Sequence, residues 1–314
     1  MLALVACTGL LVYHSILWRW DYLIYDAQLS LWSRPAADDI IIIEIDDQSL
    51  NDIGKWPWSR EVHARLIDQI QRERPAAIGL DLILSEPDSY DPQSDERLSA
   101  AIRTSGSVTL PVFMTRSSRN GVPIEALPLP AYTRHAAALG HVHVDISQDG
   151  VTRGVYLWEG IGKPQWMHFS LALLNLVSAE PLLEQYALST DQQQDFSPMV
   201  WSREKTMLIP FTGPPGHYPS IGYSQVLEGR YPDKLFHNKL VLIGATAEGL
   251  GDALPTPVSG SSGTMPGVEI IANIYDALAN GLQINELSGM PLMTLSMILV
   301  AIPIVVYPLI NPAT

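Results

Sequence analysis

Cysteine is almost missing from this sequence: Cys7 is the single one in 314 residues. It lies inside the first apolar run and has no partner in the chain, which excludes an intrachain disulfide and a cysteine-based zinc site. Leu4-Val5-Ala6-Cys7 resembles a lipoprotein cleavage box, but such a box needs its apolar stretch before the cysteine, and here it follows. Basic residues are also scarce, 19 against 33 acidic ones, for a formal net charge of −14. Nucleic-acid phosphates need a basic footprint, so nucleic acid is excluded as a partner. No repeat recurs at a solenoid period.

Charge is absent from two stretches at opposite ends. Residues 1–18 have none, and at roughly 1.5 Å per residue they span about 27 Å, enough for a bilayer core. A signal peptide would need a basic start and a small-residue cleavage site, and neither precedes Arg19, so the stretch reads as a retained transmembrane helix. The missing basic start also suggests a native chain that begins upstream of Met1. Residues 290–310 form the second uncharged span, with Pro303 and Pro308 tolerable in lipid. Few basic residues flank either span, so the positive-inside signal is poor. Within residues 19–37 and the turn before them, Leu17, Trp20, Ile24, Ala27 and Leu31 recur at spacings of three and four. That is a short coiled-coil-like stripe, or a helix packing on its own domain.

Residues 38–289 are soluble in character. Ile40 to Ile43 and Ile45 form a β-branched run closed by Asp46 and Asp47, which reads as a buried strand ending in carboxylates. Ser59 can cap a helix carrying Val62, His63, Leu66, Ile67 and Ile70 at helical spacing. A second strand, Ala76 to Leu84, has Asp81 inside it. This strand–helix–strand unit seeds a parallel sheet covered by helices. Further strands are expected at 107–114, 207–211 and 240–244, and helices near 95–104, 166–178 and 266–279. Residues 117–130 read as a surface excursion and 189–197 as a polar linker. Asp149-Gly150, between apolar runs 139–146 and 151–158, signals an antiparallel hairpin. The fold class is therefore α/β, with a largely parallel central sheet, flanking helices and one hairpin, inserted between two transmembrane helices.

A set of short motifs then carries a resemblance: Tyr25-Asp26, Ile45-Asp46-Asp47-Gln48-Ser49-Leu50, Gly54-Lys55-Trp56-Pro57-Trp58 and Ala77-Ile78-Gly79-Leu80-Asp81. It continues through Ser85-Glu86-Pro87-Asp88, Leu139-Gly140-His141-Val142, Asp149-Gly150-Val151-Thr152-Arg153, Gly213-Pro214-Pro215-Gly216 and Val241-Leu242-Ile243-Gly244-Ala245-Thr246-Ala247. In this order, from Tyr25 to Ile310, they resemble the second type of CHASE domain, the cyclase- and histidine-kinase-associated sensory extracellular family. The resemblance implies an extracytoplasmic, periplasmic sensor of a bacterial inner-membrane receptor. It also implies paired membrane helices, hence a homodimer, and a cytoplasmic cyclase, kinase or cyclic-dinucleotide enzyme beyond Thr314. It supplies no catalytic residue, cofactor or binding residue, and the stimulus, small molecule or protein, stays open.

The remaining candidates come from the residues. In parallel sheets ligands bind beyond the carboxyl ends of the strands. Asp46 and Asp47 follow the first strand, Glu86 the second and Thr246 the strand at 240–244, with Asp81 supporting the edge and Arg60 as a cationic partner. Together they could select a small cationic or polyhydroxylated ligand, with residues 248–263 as a mobile cover, or they could simply satisfy one another's loops. His141, His143 and Asp145 alternate along one strand face and could hold a transition metal; the plainer reading, and the one expected, is the solvent-facing side of a hairpin. Asp88, Asp91 and Asp95 lack the glycine and glutamate of an EF-hand and read as a solvated acidic loop. Gly244, Gly249 and Gly251 satisfy no nucleotide-binding motif and read as flexibility. Trp56 and Trp58 read as a packing clamp. No serine sits in a nucleophile elbow. No enzyme is expected in this chain and no cofactor; an anchored envelope interaction protein, or a metal-dependent hydrolase using the histidine face, are the other classes.

Overall fold

The computed structural model describes residues 2–89, 91–117, 121–178, 183–188, 199–251, 253–260, 263–287 and 289–310. The linker expected at 189–197 lies outside them. The chain divides into two compact units, one of residues 1–31 with 284–314, the other of residues 32–283. In chain order the elements begin α1 (Leu2–Tyr13), α2 (Trp18–Leu31), β1 (Ile40–Ile45), α3 (Asp47–Ile53), α4 (Arg60–Gln71), β2 (Ala77–Leu80), α5 (Pro92–Ser105), β3 (Val108–Arg116) and β4 (Pro123–Ala126). Next come α6 (Pro130–Thr133), β5 (Ala138–His141), β6 (Asp145–Ile146), β7 (Thr152–Ile161), β8 (Trp166–Met167), α7 (Phe169–Val177), α8 (Leu183–Tyr186) and β9 (Trp201–Leu208). The last are β10 (Ser220–Gly222), α9 (Tyr223–Leu227), β11 (Leu240–Ala245), β12 (Ala253–Leu254), β13 (Met265–Pro266), α10 (Gly267–Ala279) and α11 (Gly289–Ile310).

In the first unit, the span expected over residues 1–18 is not one helix. α1 stops at Tyr13, Ser15 takes a φ of 50°, and α2 starts at Trp18. Twelve residues reach only about 18 Å. Among the described residues, one helix is long and apolar enough to cross a membrane, the stretch Gly289–Tyr307 of α11. Gly9 of α1 lies against Met297 of α11, where a Cβ would stand 3.4 Å from the sulfur. On α2, Trp20, Ile24, Ala27 and Leu31 are exposed among the described residues.

The second unit is built on a mostly parallel sheet. β10, β1, β11, β2, β3 and β5 run parallel in that order, and β4 joins β3 antiparallel. The strand–helix–strand unit read from the sequence is present, but its strands are not neighbours. β11 lies between them, with Leu240 paired to both Ile40 and Ala77. Alternation then feeds two helical layers. Ile41, Ile43 and Ile45 share a core with Leu66 and Ile67 of α4, Leu98 of α5 and Val226 of α9. On the opposite face, α7 closes on β2 where a Cβ at Gly79 would stand 2.9 Å from the Phe169 ring. α10 closes on β11 in the same way, 2.6 Å separating such an atom at Gly244 from Val268 Cβ. Gly244 is thus a packing glycine, not a flexible one.

A second, antiparallel sheet has β7 at its centre, paired with β6, β8 and β9. The expected hairpin forms here, with Gly150 at φ 83° and Ser147 N donating to Val151 O at 3.0 Å. The strand expected over 139–146 is split. β5 ends at His141 in the parallel sheet and β6 begins at Asp145 in the other, so the chain changes sheets at 142–144. The second strand is also shorter than expected. β2 ends at Leu80, and Leu82 and Leu84 are buried because the following loop packs into the core, not because the sheet continues.

Candidate functional site

Parallel strands bring their carboxyl ends to one edge, and that edge opens into a cleft of about 800 Å³. Arg60, Asp81, Glu86, His143, Ala245 and Val268 are among its walls. Exposed Ile83 and Ile146 also face it, so its surface is mixed apolar and charged. Leu250, Gly251 and Leu254 line it from the loop expected as a cover, and Leu254 is tied to Met265 by the β12–β13 pairing. Residues 252, 261 and 262 of that loop lie outside the described set.

Of the residues nominated at this edge, Arg60, Asp81 and Glu86 line the cleft, whereas Asp46, Asp47 and Thr246 do not. Asp46 is the N-cap of α3, its Oδ1 accepting from Ser49 N at 2.8 Å. Its charge is therefore met by the free N–H groups of a helix start, and it does not need Arg60. Asp47 is exposed in the first turn of α3, and Thr246 N donates to Ile45 O at 3.1 Å. Asp81 stands just past β2, not inside it. Arg60 instead faces the acidic loop. Its Nη2 donates to Glu86 O at 3.2 Å, its backbone N to Asp88 Oδ2 at 3.2 Å, and its Nε lies 3.8 Å from Asp95 Oδ1.

That loop is solvated in part, as expected at Asp91, but its other acids are drawn inward. Asp88 is buried and accepts from Ser94 Oγ at 2.8 Å and Asp91 N at 3.2 Å, and Asp95 accepts from Asp88 N at 3.0 Å and from the Tyr132 hydroxyl. Burial, with Asp95 behind it, pushes the Tyr132 phenol well up. The tryptophan pair does act as a packing clamp. Trp58 is buried with its ring 4.9 Å from Tyr223, and Trp56 stacks edge-on at 5.1 Å. Beneath them His63 shares a 2.7 Å hydrogen bond with the Tyr223 hydroxyl. Burial, helped by the Arg60 charge, lowers its pKa to about 3.

The histidines are not a solvent-facing strand side. His141 is fully buried and His143 is 22% exposed. The carboxylate that joins them is Glu159, near the end of β7, and Asp145 sits apart against Gly154. Glu159 Oε2 is 3.0 Å from His143 Nδ1 and 3.8 Å from His141 Nδ1. The other oxygen, Oε1, meets Arg203 Nε at 3.1 Å across the β7–β9 pair, and Trp201 Nε1 donates to Oε2 at 3.1 Å. His168, cap of α7, has its ring 5.1 Å from His141. Burial, then the His168 and His143 rings, push the His141 pKa well below the imidazole range, and burial takes His168 to about 3. Glu159 escaped the sequence reading because no local spacing links it to the histidines. Its one signal was a lone acid in an otherwise apolar run.

A third cluster also went unseen. Arg34 Nη1 pairs with the buried Asp276 of α10 at 2.6 Å, and its Nη2 donates to Pro210 O at 3.2 Å. Asp276 further accepts from Tyr218 Oη at 3.2 Å and Asn280 Nδ2 at 2.7 Å. Arg34 lies near the start of this unit and α10 near its end, so the pair clasps the two chain ends of the unit together.

A parallel-sheet α/β unit with an open cleft at its carboxyl edge, in a chain that also carries a helix of membrane-crossing length, has the build of a ligand-receiving domain. The CHASE2 domain model matches residues 2–307. The chain belongs to the CHASE2 domain family, sensory and non-catalytic extracellular domains of receptors. No curated protein and no solved structure matches it.

Proposed function

We propose that residues 32–283 receive a stimulus outside the bacterial cytoplasmic membrane and pass it through flanking membrane segments to a cytoplasmic cyclase, kinase or cyclic-dinucleotide enzyme. The observation that carries this reading is the placement of α10. Val268 and Ile271, near its start, wall the cleft, and Asp276, near its end, holds the Arg34 clasp. A ligand that prefers one packing of α10 would thereby bias the spacing of the chain ends, provided that it binds the two states with different affinity. The exposed stripe of Trp20, Ile24, Ala27 and Leu31 suits pairing with a second copy, so the receptor acts as a homodimer. The cleft walls favour a small ligand with both apolar and charged groups over a purely ionic one.

The test is to narrow the cleft without touching the core. Ile83 is 60% exposed at its wall, so Ile83→Trp should leave thermal unfolding unchanged while shifting the dose response of output in the full-length receptor. An unchanged dose response in both Ile83→Trp and Val142→Trp would move the receiving site elsewhere.

A further inference from the structure

The group of histidines and glutamate at the junction of the two sheets is a costly arrangement for a merely structural cluster. His141 is fully buried, and among the described residues neither of its ring nitrogens has a partner within hydrogen-bond limits, although the Tyr156 backbone lies close enough to act on the ring. The Nε2 of His168, beside it, is likewise buried and without a partner among the described residues. An unsatisfied buried polar atom costs about 1–3 kcal/mol, so such atoms call for a missing partner. His141 offers neutral ring lone pairs, and His143 Nδ1 would offer one once its proton, now donated to Glu159 Oε2, moves to Nε2, which gives up the 3.3 Å bond it accepts from Met114 N. With a carboxylate these make the donor set of a metal ion. We propose that His141, His143 and Glu159 hold one divalent transition-metal ion of the zinc class, with its open coordination position facing the cleft.

The geometry supports this. One ligand atom from each residue lies within 4.8 Å of the others. With metal–ligand bonds of about 2.0–2.1 Å, tetrahedral donors stand roughly 3.3 Å apart. The two separations to Glu159 Oε2, 3.0 and 3.8 Å, bracket that value. Arg203 on Oε1 then acts as the outer partner that aims Oε2 inward, as such carboxylates require. Two nitrogens and one carboxylate oxygen select a borderline metal over calcium or magnesium, which take all-oxygen shells. Three protein ligands leave a fourth position, and His143 is the ligand that also lines the cleft. The ion would therefore be reachable from the cleft and able to engage a carboxylate, thiol or amine of an incoming molecule. Its role in reception rests on the reading of the cleft given above, but its binding does not.

Binding is tested on the whole chain in detergent, stripped with a chelator and titrated with cobalt(II) and zinc(II). The expected result is a cobalt ligand-field band saturating at one ion per chain and abolished by stoichiometric zinc. His143→Ala, at a partly exposed position, should weaken zinc binding at least tenfold while the chain stays folded. Glu159→Gln should do the same, and Asp145→Asn should not. Absence of a saturable band in the wild type, or zinc affinity unchanged in His143→Ala, overturns the site. Loss of binding in Asp145→Asn with retention in Glu159→Gln overturns the ligand set. Because these readouts need no output module, they can succeed where the cleft variants fail, and the reverse.

Discussion

Replacing Arg34 with methionine should be partly rescued by a second substitution in its partner. Asp276 is 1% exposed and Arg34 20% exposed, with 2.6 Å between them. Removing one member of a buried pair typically costs about 3–5 kcal/mol, because the other charge stays buried and alone. In Arg34→Met the stranded carboxylate keeps its bonds from Tyr218 and Asn280, so a loss near the lower figure, about 3 kcal/mol, is expected. Asp276→Asn strands the guanidinium instead, which reaches solvent and keeps Pro210 O; about 1–2 kcal/mol should be lost. The double variant buries no lone charge and retains a side-chain oxygen to accept from Tyr218. It should be more stable than Arg34→Met alone, with a coupling of roughly 2 kcal/mol, well above the ~0.5 kcal/mol scatter of independent sites. Urea unfolding of the four proteins in detergent, followed by tryptophan fluorescence, measures this cycle. A double variant no more stable than Arg34→Met, or losses that simply add, would refute the claim that the pair clasps the ends of the sensor unit.

Acid sensitivity should trace in part to His63. Its folded pKa of about 3 lies below its unfolded value of about 6.5. Between the two, the unfolded chain binds a proton that the native state does not, so stability rises with pH and is lost as pH falls below about 6.5, by roughly 1.4 kcal/mol per pH unit. The groups that act on the ring are the Tyr223 hydroxyl, bonded to it at 2.7 Å, and the charge of Arg60. His63→Phe should remove that slope between about pH 6 and 5, and an unaltered slope would show that His63 is protonated in the fold. Topology is tested by reporters placed after Gly150 and after Gly229, both at turns. Both should be active only outside the cytoplasm, and cytoplasmic activity at either would reverse the orientation.

Local order was written plainly in the chain. The isoleucine run of β1, the Ser59 cap of α4, the Asp149-Gly150 hairpin and the uncharged stretch of α11 are decided by residues close in sequence, and each is where the pattern put it. The carboxyl edge as the place for a cleft was also legible, since parallel strands leave their polar residues together. The failures share one cause. Apolar runs such as 76–84 report burial, and burial is shared by strands and by loops packed under them. The acidic loop looked solvated because its acids are met partly by its own folded-back Ser94 and backbone, which no motif announces, and partly by Arg60 and Tyr132, which are distant in sequence.

What tertiary structure alone decided is which distant residues meet. β11 enters between β1 and β2, which moves Asp46 away from Asp81 and leaves Asp46 to cap α3. The change of sheet at 142–144 buries His141 and brings β7 across it, so that Glu159 replaces Asp145 beside the histidines. Arg34 finds Asp276 from the far end of the unit. Periodicity says which face of an element is buried, but not which element covers it. The pairing of strands, set by packing over the whole sheet, fixed the chemistry of the site.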